Sequence, residues 1–307
     1  MKPNFIIVGA SKAGTTSLHH YLSQHSDILM SNPKETHFFE VESDEKSYDY
    51  YIKKYFKNWN GEKAVGEATP SYLYVPFVPK KIHQFNPEMK LIIILRNPTQ
   101  RAFSAWWMHR QKGRENLSFK SAIENNFNRI NKENTFVGEK GKENWKNNFE
   151  ALKQNKILYR TYIDMGYYSE QLLNYMHYFE KNQMHIILLE DLISDPEKEL
   201  REIFEFLGVD KNEKIDVNKK NESLSRSAFP IYRLVGTKNV QKIAKVLPSK
   251  LKKVLIIFLR GKSKTVNIDE ETKTKLEKHY YKYNQTLEKL LDRELKNWSK
   301  GKDKNEN

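Results

Sequence analysis

Phe5-Ile6-Ile7-Val8-Gly9-Ala10-Ser11-Lys12-Ala13-Gly14-Thr15-Thr16-Ser17 is the stretch on which the reading of this chain turns. Phe5–Val8 is an apolar run too short for a buried helix, and reads as a strand covered on both faces. Gly14 to Ser17 opens a helix with Leu18, Tyr21 and Leu22 on one side. The glycines allow close backbone approach, and the helix start offers unpaired N–H groups to an anion. Gly9 and Gly14 have Walker A spacing, but that motif then needs Lys followed by Ser or Thr. Here Thr15 takes the lysine position, and Lys12 lies inside the loop before Gly14. A Walker lysine and its hydroxyl neighbour serve β/γ-phosphates and Mg²⁺. By itself the loop leaves three readings open: a small-molecule kinase, another anion site, or a ligand-free turn.

Outward from this loop, short apolar runs alternate with helical patterns. The further candidate strands are Ala64–Glu67, Leu91–Leu95 and His185–Leu189. Their alternation predicts an α/β fold, a mostly parallel central sheet flanked by helices. Asn97-Pro98 and Asp195-Pro196 read as N-cap and first helical residue, and Gly208 as a helix stop. A final helix is expected to carry Leu276, Tyr280, Tyr283, Leu287, Leu291, Leu295 and Trp298 as one stripe. Residues 1–298 are expected to form a single domain. The polar, Asn/Lys-rich segment 116–145 is read as a rim insertion and 299–307 as a disordered tail.

A second anion site is legible in Leu91-Ile92-Ile93-Ile94-Leu95-Arg96-Asn97-Pro98-Thr99-Gln100-Arg101-Ala102-Phe103-Ser104. Arg96 stands at the C-terminal end of a strand, the edge where open α/β sheets bind ligands. Its planar fork suits phosphate. Ser104, two turns into the next helix, returns to the face of Asn97. An arginine capping a helix and a serine in a helix–sheet contact is the bland alternative. Two anion sites after two separate βα turns imply a ligand phosphorylated at both ends, a description that ATP does not meet.

Both segments resemble motifs of the sulfotransferases that use 3′-phosphoadenosine 5′-phosphosulfate (PAPS), especially the branch with the heparan sulfate N- and 3-O-sulfotransferases. The resemblance implies the P-loop NTPase-like sulfotransferase fold and PAPS as co-substrate, with adenosine 3′,5′-bisphosphate as product and no metal required. It implies that Lys12, Ala13, Gly14, Thr15, Thr16 and Ser17 cradle the 5′-phosphosulfate, with Ala13 where the branch often has Gly. Arg96 and Ser104 would hold the 3′-phosphate, Tyr167 would approach the nucleotide, and Arg226 would contact the 3′-phosphate.

Asn32-Pro33-Lys34-Glu35-Thr36-His37-Phe38-Phe39-Glu40 is similar to the family's Lys-Glu-x-His-Phe-Phe-Asp segment, whose glutamate is the general base. That match carries the role to Glu35, with His37 orienting it or binding acceptor, and Lys34 contacting nucleotide or acceptor. In-line transfer would need such a carboxylate for the acceptor proton. It would also need a cation, Lys12, at the leaving oxygen. Glu67-Ala68-Thr69-Pro70-Ser71-Tyr72 resembles the family's Glu-Lys-Thr-Pro-x-Tyr, with Ala68 at the lysine position. Glu67 is then a candidate for orienting groups in the cleft or for a buried structural role. The expected acceptor is a hydroxyl or amine, on a glycan or lipid-linked sugar.

Composition bounds the rest. The chain of 307 residues carries 53 Lys and Arg against 39 Asp and Glu, a formal +14 that suits an anionic partner. A non-catalytic basic binding protein is the third reading, but no nucleic-acid-binding motif accompanies the charge, and no nucleic acid is expected as partner. The absence of cysteine excludes disulfides, thiolate metal sites and cysteine nucleophiles. The longest apolar run, Val254–Leu259, is far short of the roughly 18–20 residues of a membrane span. With no signal peptide legible ahead of Phe5, a cytoplasmic location is expected, possibly at the inner membrane face. There the basic amphipathic stretch 242–260 could rest on lipid. Oligomeric state is not legible.

Overall fold

A computed structural model describes residues 2–41, 47–132, 135–217, 267–296 and 298. Five parallel strands form one sheet: β1 (Phe5–Gly9), β2 (Ile28–Met30), β3 (Ala64–Ala68), β4 (Lys90–Leu95) and β5 (Met184–Leu188), in the order β2-β3-β1-β4-β5. Every residue of β1 and β3 is buried, as is all of β4 after Lys90. Helices therefore cover both faces, which is why these strands read as continuous apolar runs without alternation. Strand β2 was not anticipated: three residues between a helix and a proline turn give no periodicity to read.

The helices are α1 (Thr15–Leu22), α2 (Phe38–Val41), α3 (Tyr48–Tyr55), α4 (Val78–Phe85), α5 (Pro98–Gln111), α6 (Phe119–Ile130), α7 (Gly138–Lys153), α8 (Tyr168–Met176), α9 (Leu189–Ser194), α10 (Pro196–Leu207) and α11 (Glu270–Leu291). The expected caps form. Asn97 accepts from the Gln100 amide at 3.1 Å, Asp195 accepts from Lys198 at 3.0 Å, and Gly208 ends α10 in the left-handed conformation. One boundary differs. α11 stops at Leu291, because Asp292 turns left-handed and the Arg293 amide closes back on the Glu288 carbonyl at 3.1 Å. Arg293 then forks onto Asp191 at 2.5 and 2.8 Å, so Leu295 and Trp298 reach the core from beyond the helix.

The segment read as a rim insertion holds α6 and the start of α7. Trp145 joins the main core, and the buried Asn126 bonds the backbone of Ile163 at 2.9 Å; just beyond the segment, the buried Asn148 bonds that of Tyr159 at 3.2 Å. Among the described residues no helix is long and apolar enough to cross a membrane. The 242–260 stretch, Arg226 and the 299–307 tail lie outside the described residues.

Direction reverses between β1 and β4: the chain leaves β1 toward β2 on one side, and leaves β4 toward β5 on the other. A crevice opens at the carboxyl ends of such a strand pair.

Beside it, Glu67 is completely buried under the 33–37 segment. Its carboxylate accepts from Tyr51 (2.6 Å), Thr69 (2.6 Å), Thr36 (2.7 Å) and Tyr72 (3.3 Å). Burial raises its pKa above the usual glutamate range, while the hydrogen bonds oppose that rise. Glu67 belongs to the scaffold below the cleft and does not line it. Glu67→Ala would strand several buried hydroxyls, so equilibrium urea unfolding should show a loss of about 3 kcal/mol or more. A loss below about 1 kcal/mol, the net worth of one hydrogen bond, contradicts this assignment.

Candidate active site

The loop after β1 bends where the sequence requires it. Lys12 and Gly14 both have positive φ, 70° and 101°, and Gly14 is the N-cap of α1 without a side-chain cap. A Cβ on Gly14 would meet Leu189 Cδ1 at 2.8 Å, a side-chain end that could shift, so it is the left-handed backbone angle that calls for glycine. On the neighbouring strand, the Ile94 carbonyl accepts from the Ala10 amide at 2.7 Å, and Arg96 Nη1 donates to the Lys12 carbonyl at 3.1 Å. The Tyr168 hydroxyl fixes the Arg96 carbonyl at 2.9 Å.

The two anion loops expected from the sequence therefore meet. Ser11, Lys12, Gly14, Thr15, Thr16 and Ser17 share one cleft of about 1000 Å³ with Arg96 and Ser104. Ala13 is buried and contributes backbone only.

Glu35 and His37 line the same cleft. Glu35 sits between two bases, with Lys34 Nζ at 3.0 Å and His37 Nε2 at 3.6 Å, and its side chain is 42% exposed. Lys34 Nζ also donates to Thr15 Oγ1 at 3.4 Å, joining the candidate base to the phosphate loop. The Ala68 amide donates to the Lys34 carbonyl at 3.3 Å, so Lys34 extends from beside the position where the related motif has its lysine.

Behind His37 stands the buried Glu40. It hydrogen-bonds His37 Nδ1 and accepts from Ser71 Oγ (3.0 Å) and Trp145 Nε1 (3.2 Å). The sequence marked Glu40 merely as a lengthened aspartate; its four-residue helix α2 places it one turn from His37. Burial pulls the His37 pKa down, but the hydrogen bond and charge of Glu40 outweigh it, and the net shift is upward.

Cations gather on the other wall. Burial lowers the Lys12 pKa, and Lys112 and Arg96 lower it further. Burial and Arg114 likewise lower that of Lys112. His109 is pushed down to about 4 by burial, with Arg114 and Lys112 adding. His109, in the last turn of the Ser104 helix, and Lys112 and Arg114 just after it also line the cleft; no local signal in the sequence points the two cations inward. A bound anion would relieve this like-charge crowding.

Tyr167 does not line the cleft. It stacks on Tyr283 with centroids 4.2 Å apart, and its hydroxyl pairs with His279 Nε2 at 2.8 Å. The aromatic face of α11 outcompetes the cleft for this ring. Trp106 is buried in the helical layer, whereas Trp145 and Phe149 from α7 reach the cleft.

The chain is thus an α/β protein whose βα loops after β1 and β4 line one cleft at the switch point of the sheet. Comparison with known proteins places it further: the chain belongs to the sulfotransferase domain family, whose pattern matches residues 2–229. A solved sulfotransferase from Alicyclobacillus acidocaldarius superposes with a TM-score of 0.67 at 26% identity, over 97% of this chain and 99% of that one. Mouse heparan sulfate glucosamine 3-O-sulfotransferase 5 is 29% identical over 213 residues, covering 67% of this chain and 54% of that protein. The membrane-associated sulfotransferase kil1 of Dictyostelium discoideum is 27% identical over 273 residues, 67% of this chain and 56% of its own length. The chain thus spans little more than half of these two relatives.

The His37–Glu40 pair generates a pH test. A histidine whose folded pKa is raised contributes stability that is complete below the unfolded value of about 6.5 and lost as pH rises through the folded value. His37→Asn removes the pair while tolerating the left-handed backbone at φ 55°. Urea melts should show wild type exceeding this variant by more at pH 6 than at pH 9. A gap that is constant or wider at pH 9 contradicts the pairing.

Proposed function

We propose that this chain transfers the sulfuryl group of PAPS to a hydroxyl of a carbohydrate acceptor. The observation that carries the reading is the shared cleft: the Lys12 loop, Arg96 with Ser104, and Glu35 all line it. The loop from Lys12 to Ser17 holds the 5′-phosphosulfate, and Arg96 and Ser104 hold the 3′-phosphate. The acceptor oxygen forms its bond to sulfur as the bond from sulfur to the 5′-phosphate oxygen breaks. The acceptor proton passes to the Glu35 carboxylate. The electron pair of the broken bond stays on the 5′-phosphate, where Lys12 stabilises it. Adenosine 3′,5′-bisphosphate and the sulfated acceptor leave. No metal is needed in this balance, because Lys12 and the amides at the start of α1 meet the developing charge.

Lys34, bridging Thr15 and Glu35, takes the part that the resembling motif gives to a lysine at position 68. His37 orients Glu35, and Glu40 holds His37. A sugar acceptor is supported by the relative named as a glucosamine 3-O-sulfotransferase, and by the ring platform of Phe149, which lies 4.7 Å from His37. The relative described as membrane-associated supports work at a membrane face.

Ligand-induced melting tests the nucleotide. Adenosine 3′,5′-bisphosphate at a hundred times its Kd should stabilise the fold by about 2.7 kcal/mol. Mg-ATP at the same concentration should leave Tm unmoved. The opposite pattern would convert the protein into a kinase.

Glu35→Gln tests the base once an acceptor is found by screening carbohydrates with labelled PAPS. Turnover should fall at least about a hundredfold, while bisphosphate affinity stays within about twofold. Undiminished turnover removes Glu35 from the role.

A further inference from the structure

One wall of the cleft carries apolar side chains that the protein's own packing leaves over. Phe149 and Leu152 from α7, and Ile157 just after it, all line the cleft. None of the three joins either hydrophobic core of the described residues. Each is partly exposed, and Leu158, next in the chain, is 52% exposed.

Local structure turns these groups inward. Trp145, Phe149 and Leu152 are spaced four and three residues apart, which puts them on one side of α7. The helix ends where Asn155 takes a left-handed φ of 61° and the Lys156 amide closes onto the Ala151 carbonyl at 2.8 Å. After that turn Ile157 returns to the cleft. The wall begins one side chain from the candidate base: the Phe149 ring lies 4.7 Å from that of His37, whose Nε2 is 3.6 Å from Glu35.

The charges nearby are largely spoken for. Lys153 pairs with Glu150 and Arg160 with Glu115, each at 2.8 Å, and Arg114 Nε donates to Asn155 Oδ1 at 3.2 Å. A polyanionic chain laid here would set its charges against Phe149, Leu152 and Ile157. An apolar group would instead be taken out of water by them.

We propose that the acceptor is an amphiphile: a sugar whose hydroxyl meets Glu35 and whose alkyl aglycone lies along Leu152 and Ile157 and leaves the cleft past Leu158. Phe149, nearest His37, meets the sugar ring. This inference rests on the PAPS reading above and narrows its carbohydrate acceptor to one with a lipid-like tail.

Calorimetry of the full chain tests it with hexyl, heptyl and octyl β-D-glucopyranoside below their micellar concentrations, and with glucose, each in the presence of adenosine 3′,5′-bisphosphate. Each added methylene should tighten binding about threefold, and the octyl glucoside should bind at least about a hundredfold more tightly than glucose. Combining Leu152→Asn with Ile157→Asn should flatten the series to less than about 1.5-fold per methylene, with bisphosphate affinity within about twofold of wild type. The inference is overturned by a flat series in wild type, by an unchanged slope in the double variant, or by a heparin-derived tetrasaccharide that binds more tightly than octyl glucoside. Should the double variant not fold by circular dichroism, wild type labelled with an octyl glucoside bearing a diazirine at the chain end decides: labels on Leu152, Ile157 or Leu158 support the inference, and labels elsewhere overturn it. Wild type that does not bind the bisphosphate sinks the PAPS reading itself, whereas bisphosphate binding without an alkyl slope sinks this inference alone.

Discussion

The seam between β1 and β4 is the constraint on which the rest of this structure depends. The Ala10 amide bonds the Ile94 carbonyl, and Arg96 bonds the Lys12 carbonyl, at the point where the two chain directions part. These contacts bring two loops separated by more than eighty residues to the mouth of one crevice. Each loop is an ordinary βα turn on its own. Joined by the seam, they come to line one cleft. Gly14, held at positive φ against Leu189 and Ile94, leads from the seam into the start of α1.

Electrostatics then gives the two walls of the cleft different tasks. On one wall, burial and neighbouring cations hold the pKa values of Lys12 and Lys112 below the usual lysine range, with Glu35 opposing the shift. On the opposite wall every carboxylate has company. Glu35 lies between Lys34 and His37, Glu40 holds His37, and Glu67 ties the whole segment from below. In the function proposed above, one wall receives the nucleotide's charge and the other holds the proton acceptor in a fixed orientation.

Much of this was legible in the sequence, for reasons that differ by residue. Strands β1 and β4 announced themselves because burial on both faces leaves them almost wholly apolar, and β3 and β5 as short apolar runs with one polar residue each. Asn97-Pro98, Asp195-Pro196 and Gly208 marked helix ends because caps are local chemistry. The meeting of Lys12 with Arg96 followed from the strand-edge rule. What stayed illegible depends on long-range packing. Nothing near Tyr167 shows that α11 will capture its ring, and nothing near Lys112 or Arg114 turns them toward the cleft. Within segment 116–145, nothing local marks Asn126 out from its exposed asparagine neighbours, yet it is buried as a partner of the Ile163 backbone. Strand β2 was too short to carry a pattern, and α11 ended early because Asp292 adopts a conformation that its residue type merely tolerates.

The most direct test of the central claim, that the two loops grip opposite ends of one nucleotide, is a crystal structure with adenosine 3′,5′-bisphosphate bound. The 5′-phosphate should lie on the amides and hydroxyls of Thr15 and Thr16 beside Lys12, and the 3′-phosphate within hydrogen-bond reach of Arg96 and Ser104. A nucleotide seated with its 3′-phosphate in another cavity, or with a metal bridging its phosphates to the Lys12 loop, would contradict the account.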